Sequence, residues 1–121
     1  MKKNEAQSSV EPIVVFMTAA NGEEAARLAE LLVGANLAAC VQIMPEIESV
    51  YRWQGKVERQ SEVLLIAKTD RAKFAELERE VCAIHSYETP EILAVPIVEG
   101  SKAYLDWLQQ TINPELRRSA P

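Results

Sequence analysis

The sequence predicts a single α+β domain of the split βαβ kind, on three observations. Strand-like and helix-like apolar periods alternate as strand, helix, strand, strand, helix, strand, helix. The pair Gln54-Gly55 divides two long strand-like segments, and glycine in the second position suits a two-residue hairpin turn. A chain of 121 residues, 48% of them hydrophobic, is large enough to bury one core without staples.

Each element has its own signal. Ile13 to Thr18 is a short, continuous apolar run, typical of a buried strand. Asn21 offers an N-cap, and Glu24 three residues on closes a capping box. Ala25, Leu28, Leu32 and Ala35 then recur at helical spacing, with Gly34 and Asn36 as stop signals. A second strand is expected from Leu37 as far as Trp53. Pro45 within it lacks an N–H for the ladder and marks a bend, bulge or edge. The third strand runs from Lys56 to Lys68. Asp70 caps a helix whose Phe74, Leu77, Val81 and Ile84 form one stripe. A fourth strand covers Ile92 to Val98, with Pro96 placing that end at an edge or bulge. Ser101 caps a last helix expected to bury Tyr104, Leu105, Leu108 and Ile112, with Trp107 as packing.

This order is the ferredoxin-like βαββαβ sandwich with an extra C-terminal helix and a long β-hairpin. The domain is assigned to 12-112, with a flexible N-terminus over 1-11 and a loose C-terminal tail over 113-121. Right-handed crossovers put both main helices on one face of the sheet. Val63-Leu64-Leu65-Ile66-Ala67 is nevertheless apolar at every position, so both faces of that strand ask for burial. The hairpin also exceeds the usual strand of about 5–6 residues, which strands Tyr51 and Trp53 in water at its tip. Other copies of the chain are the expected cover, and Trp53 the expected intersubunit anchor.

The net charge of -5, spread along the chain, argues against nucleic-acid binding, which needs a basic face. No window approaches the roughly 20 apolar residues of a membrane span, and no leader is expected in the polar stretch Met1–Ser9. Cys40 and Cys82 lie in apolar contexts without ligand spacing, so both are expected to be small buried thiols in a reducing cytoplasm.

Chemistry concentrates in one link, His85-Ser86-Tyr87-Glu88-Thr89-Pro90-Glu91, between helix and strand. It holds the only histidine, a phenol, two carboxylates and a proline. His85 has three readings: a helix-end imidazole with a local hydrogen bond, a metal ligand, or part of a small-ligand cleft. Tyr87 suits a structural hydrogen bond. Lys68 is expected to balance Glu62 or another carboxylate. No nucleophile–base pair emerges, and the reading is of a non-enzyme.

Ser49-Val50-Tyr51-Arg52-Trp53-Gln54-Gly55-Lys56 stands with this link, after Leu37-Ala38-Ala39-Cys40 and before Ala103-Tyr104-Leu105-Asp106-Trp107. In that order these segments resemble the CutA divalent cation tolerance family, from Ile13 to Ile112. The resemblance implies a cytoplasmic homotrimer whose hairpins pack on neighbouring subunits. It also implies weak binding of Cu(II) or another divalent cation, with no cofactor required. Family members proposed to bind copper use a first-strand cysteine with the histidine and glutamate of a His-Pro-Tyr-x-x-Pro-Glu segment. His85 and Glu91 match the latter two. Met17 stands in place of the cysteine, a thioether where a thiolate is expected, and Ser86 in place of the proline, which loosens the link. The assembly is similar to that of PII signalling proteins. That likeness implies an alternative: a regulatory module binding a small anionic metabolite in intersubunit clefts lined by Trp53, Glu62, Lys68 and Tyr87.

Overall fold

A computed structural model describes residues 10–118. Strand β1 spans Pro12–Ala19, α1 Gly22–Gly34, β2 Cys40–Trp53, β3 Lys56–Asp70, α2 Phe74–Ile84, β4 Ile92–Pro96, α3 Lys102–Ile112 and α4 Pro114–Arg118. The strands form one sheet in the order β2-β3-β1-β4, with every neighbouring pair antiparallel. This is the ferredoxin-like arrangement that the periodicity predicts. Pro45 and Pro96 both fall on edge strands, where a missing N–H is tolerated.

Odd-numbered side chains of β1 and β3 (Ile13, Val15 and Met17; Val63, Leu65 and Ala67) pack with Leu28 and Leu32 of α1 and Leu77 and Val81 of α2. Alternate residues point to the opposite face, where Leu64 and Ile66 are half-buried and Leu93 of β4 is 59% exposed. The apolar run in β3 is thus covered on one side only within a single chain. A second cluster joins Leu108 and Ile112 of α3 to Ala39.

The chain termini of the elements follow local rules. Asn21 Oδ1 accepts from the Glu24 N–H at 2.9 Å, as a capping box requires. At the other end of α1, Leu37 N–H bonds Leu32 O and Asn36 N–H bonds Val33 O, a Schellman motif with Asn36 at φ 61°. Asp70 caps a 3₁₀ turn over Arg71–Lys73 that leads into α2. Its carboxylate also accepts from the Glu11 N–H and the Gln109 side chain, tying β1, α2 and α3 together.

Several expectations are corrected. Strand β2 begins at Cys40, because Leu37 to Ala39 are taken up by the helix end and by the Ala39 N–H to Lys68 O bond. Strand β4 stops at Pro96, not Val98. Cys82 is exposed and Cys40 half-buried, so neither is a core thiol; Cys82 follows the inward Val81 by one residue, about 100° around the helix. Ile84 at the C-terminal end of α2 and Tyr104 and Trp107 on α3 are also exposed. The two α3 rings instead meet each other at a tilt of 42°, with centroids 5.4 Å apart. Pro114–Arg118 is helical where a loose tail is expected. Of the N-terminal segment, residues 1-9 lie outside the described residues.

Candidate functional site

The hairpin builds the site through an irregularity. Before Pro45, β2 pairs Gln42 with Ile66 and Met44 with Leu64; beyond it Ile47 faces Glu62 and Ser49 faces Gln60. One extra residue has entered β2, and a one-residue slip exchanges the faces of every later side chain. Ser49, Tyr51 and Trp53 therefore share a face with Gln60 and Glu62. The turn closes at Gln54 (φ 51°) and Gly55 (φ 80°), the two positive angles of a type I′ hairpin.

Against that face lies the link from His85 to Glu91. An open groove of about 660 Å³ forms between them, lined by Thr18, Ser49, Val50, Tyr51, Trp53, Gln60, Glu62, Tyr87, Glu88, Thr89 and Glu91. Tyr87 Oη donates to Glu62 Oε2 at 2.7 Å, and Ser49 Oγ donates to Glu62 Oε1 at 2.6 Å. Gln60 Nε2 donates to Tyr87 Oη, while Tyr51 Oη donates to Gln60 Oε1. Burial, the hydrogen bond to Glu62 and that carboxylate's charge push the Tyr87 phenol well above its ordinary range.

The other end of the link is held from inside. The His85 side chain has no exposed surface. Its Nε2 lies 2.8 Å from Thr18 O, and its Nδ1 accepts from the Tyr87 N–H at 3.0 Å. A carbonyl on one side and an N–H on the other define the neutral tautomer protonated on Nε2. Both ring nitrogens are thereby spent on the backbone. Among the three readings of His85, the local structural one matches this geometry.

Glu24, 3% exposed, anchors the link to α1. Its Oε1 accepts from Ala20 N–H and Ser86 Oγ, and its Oε2 accepts from Ser86 N–H at 2.6 Å. Burial pushes the Glu24 carboxyl up, but the hydrogen bonds from Ala20 and Ser86 outweigh it, and the net displacement is downward. Ser86 was expected to loosen the link. It does the reverse, since proline has neither the N–H nor the hydroxyl that Glu24 receives. The Asn21 cap on the Glu24 N–H is legible in the sequence, although the Glu24 carboxylate reaches back to Ala20 N–H rather than to Asn21 N–H; its second task at Ser86, 62 residues away, has no local signal.

Of the anticipated cleft residues, Trp53, Glu62 and Tyr87 come together with Glu91, but Lys68 does not. Its Nζ donates to Gln42 at 2.6 Å. Six residues of strand separate it from Glu62, about 20 Å. Met17 is fully buried in the core beneath the helices, out of reach of any ligand. Among the described residues no three His, Cys, Asp or Glu side chains group so as to hold a metal ion. The His85–Glu91 pair, with its imidazole nitrogens engaged, does not form a metal centre within one chain.

Residues 13–111 match the family described as CutA1 divalent ion tolerance protein. The chain belongs to that family. It is 47% identical over 97 residues to the divalent-cation tolerance protein CutA of Thermus thermophilus, covering 80% of this chain and 94% of that one. It is 45% identical over 111 residues to the chloroplastic protein CutA of Arabidopsis thaliana, covering 92% of this chain; it spans 61% of that relative's length. Among solved structures, the periplasmic divalent cation tolerance protein CutA from Archaeoglobus fulgidus superposes with a TM-score of 0.81 at 46% identity, over 84% of this chain and 98% of that one. CutA1 from Oryza sativa gives 0.83 at 45% identity, over 86% and 95% respectively. The family's name records tolerance to divalent ions and no reaction. No helix among the described residues is long and apolar enough to cross a membrane.

Proposed function

We propose that the protein is a non-enzymatic homotrimer of the response to divalent cations, binding such ions weakly at the rim of the hairpin groove. One observation carries the reading: the ionisable residues lining the groove are Glu62, Glu88, Glu91 and two tyrosines, with no lysine, arginine or histidine. Glu88 and Glu91 are exposed at its edge and offer hard oxygen donors to a cation that keeps part of its water shell. In this reading His85 shapes the link, and Glu91 keeps the ligand role the resemblance implies. Copper is bound through carboxylate oxygen, without an imidazole. An anionic metabolite in a cleft between subunits, the alternative, finds no positive partner on the groove wall that one chain supplies.

The trimer is supported by what one chain leaves uncovered: Leu93, Val95 and Met44 on the sheet, and Trp53 and Val57 on the hairpin. A cytoplasmic setting is supported by two unpaired cysteines; relatives named chloroplastic or periplasmic are described by those words themselves. Sedimentation tests the copy number. Calorimetry with Mn(II) and Cu(II) tests the site: a saturable heat is expected in wild type, and its loss in the double variant Glu88→Gln/Glu91→Gln. Millimolar metal that produces only the heat of dilution would rule the reading out.

A further inference from the structure

We propose that His85 is an acid-operated switch for the link it begins: protonation turns its Nδ1 from the Tyr87 N–H to the Glu24 carboxylate and releases the link at Tyr87. The side chain has no exposed surface, and each ring nitrogen has one hydrogen bond. Nε2 donates to Thr18 O at 2.8 Å, and Nδ1 accepts from the Tyr87 N–H at 3.0 Å. An imidazolium has two N–H donors and no acceptor. Gain of a proton therefore leaves the bond to Thr18 intact, whereas at Nδ1 two N–H groups would face each other. The bond to Tyr87 is the one that must break.

A second acceptor lies on the same side of the ring. Glu24 Oε2 stands 3.6 Å from Nδ1, too far for a hydrogen bond. A charge-assisted N–H···O bond closes to about 2.7–2.9 Å, so the new contact draws ring and carboxylate together by roughly 0.8 Å. The Glu24 carboxyl is displaced downward from its usual 4.5, and it is charged through the range in which imidazoles ordinarily titrate. The groups facing the ring all favour a cation. They are Glu24 on α1, the Thr18 carbonyl on β1, the Tyr87 ring at 4.8 Å and, behind it, Glu62 on β3. The last turn of α2, which His85 follows, carries no charged residue and ends in a helix dipole that suits a positive charge. Among the described residues no lysine or arginine pairs with Glu24 or Glu62. Ser86 stays bonded to Glu24 in either state, so the released segment begins at Tyr87 and runs on to Glu88 and Glu91. The charge of His85 thereby sets where the groove rim lies.

The switch stands whether or not the rim carboxylates bind a cation, so it and the divalent-cation reading can fail separately. The test is an NMR titration of the intact protein, without added metal, from about pH 8 to about pH 5. His85 is the only histidine, so its imidazole nitrogens are assigned without ambiguity. The ring should begin with a protonated Nε2 and a bare Nδ1. As Nδ1 gains its proton, the Tyr87 amide should shift in step. Its protection against hydrogen exchange, corrected for the pH dependence of intrinsic exchange, should fall about tenfold, while the Ser86 amide keeps its own. Glu24→Gln removes the waiting charge and should lower the pH of the transition; His85→Gln should leave the Tyr87 amide insensitive to pH. If either variant fails to fold, the wild-type titration decides alone. A ring that gains its proton while the Tyr87 amide keeps its shift and protection would overturn the proposal. So would a ring still neutral at about pH 5. A Tyr87 amide that moves identically in His85→Gln would overturn it too, because the groove carboxylates then drive the change.

Discussion

Replacing Glu24 by glutamine probes the joint between α1 and the groove. The carboxylate accepts three hydrogen bonds, from Ala20 N–H, Ser86 N–H and Ser86 Oγ, on its two oxygens. A carboxamide keeps one acceptor and turns an NH₂ group toward the N–H of Ser86 or of Ala20. A hydrogen bond to a charged group contributes about 1.5–3 kcal/mol, and a stranded buried donor costs about 1–3 kcal/mol. These overlap for one site, so Glu24→Gln should destabilise the fold by about 2–4 kcal/mol. Denaturant unfolding at pH 7 and fixed protein concentration measures this, with an unchanged slope showing that only stability moved. The folded-state pKa of Glu24 is lowered from its usual 4.5. Its contribution is therefore complete above that value and is lost as pH falls through the folded pKa. The gap between wild type and variant should narrow below about pH 4.5. A loss under about 0.5 kcal/mol at pH 7, the range of inert surface changes, would mean that the Glu24 carboxylate does not hold this joint.

Three further outcomes are expected. Thr69→Val should be neutral or stabilising by up to about 1 kcal/mol in thermal or denaturant unfolding, because Thr69 Oγ1 is buried without a hydrogen-bond partner among the described residues. Asn36→Gly should stabilise by about 0.5–1 kcal/mol, since Asn36 occupies the left-handed cap position of α1 at φ 61°; a melting temperature below wild type would contradict that. Asp70→Ala should destabilise by about 2–4 kcal/mol, as Glu11, Ala72 and Gln109 all lose an acceptor, and hydrogen exchange should rise at the start of α2.

Most of the fold was legible because its signals are local. The helix caps at Asn21, Asp70 and Ser101, the Gln54-Gly55 turn and the two edge prolines all act within a few residues. What escaped depends on neighbours distant in sequence. Tyr104 and Trp107 fit a helical stripe, yet only Leu108 and Ile112 of α3 find a buried partner, in Ala39. Cys82 shares an apolar segment with Val81 but not its side of the helix. For the site, the link from His85 to Glu91 is visible as a concentration of polar groups, whereas Trp53, Glu62 and Tyr87, expected together between subunits, meet within one chain. The inward commitment of His85 was one of three open readings. Its choice rests on Thr18 O, 67 residues away. The groove itself depends on the bulge at Pro45. That proline signalled a break without revealing that Ser49, Tyr51 and Trp53 would change face.

In the proposed function, cations meet this protein through the carboxylates of the groove rim and not through the imidazole. Paramagnetic broadening by Mn(II), read on assigned NMR spectra of the folded protein, tests it most directly. The amides of Glu88 and Glu91 should broaden first, the Nε2–H signal of His85 should persist with its bond to Thr18 intact, and Glu88→Gln/Glu91→Gln should abolish the effect. Loss of the His85 imidazole signal ahead of those amides, with the double variant behaving as wild type, would contradict it.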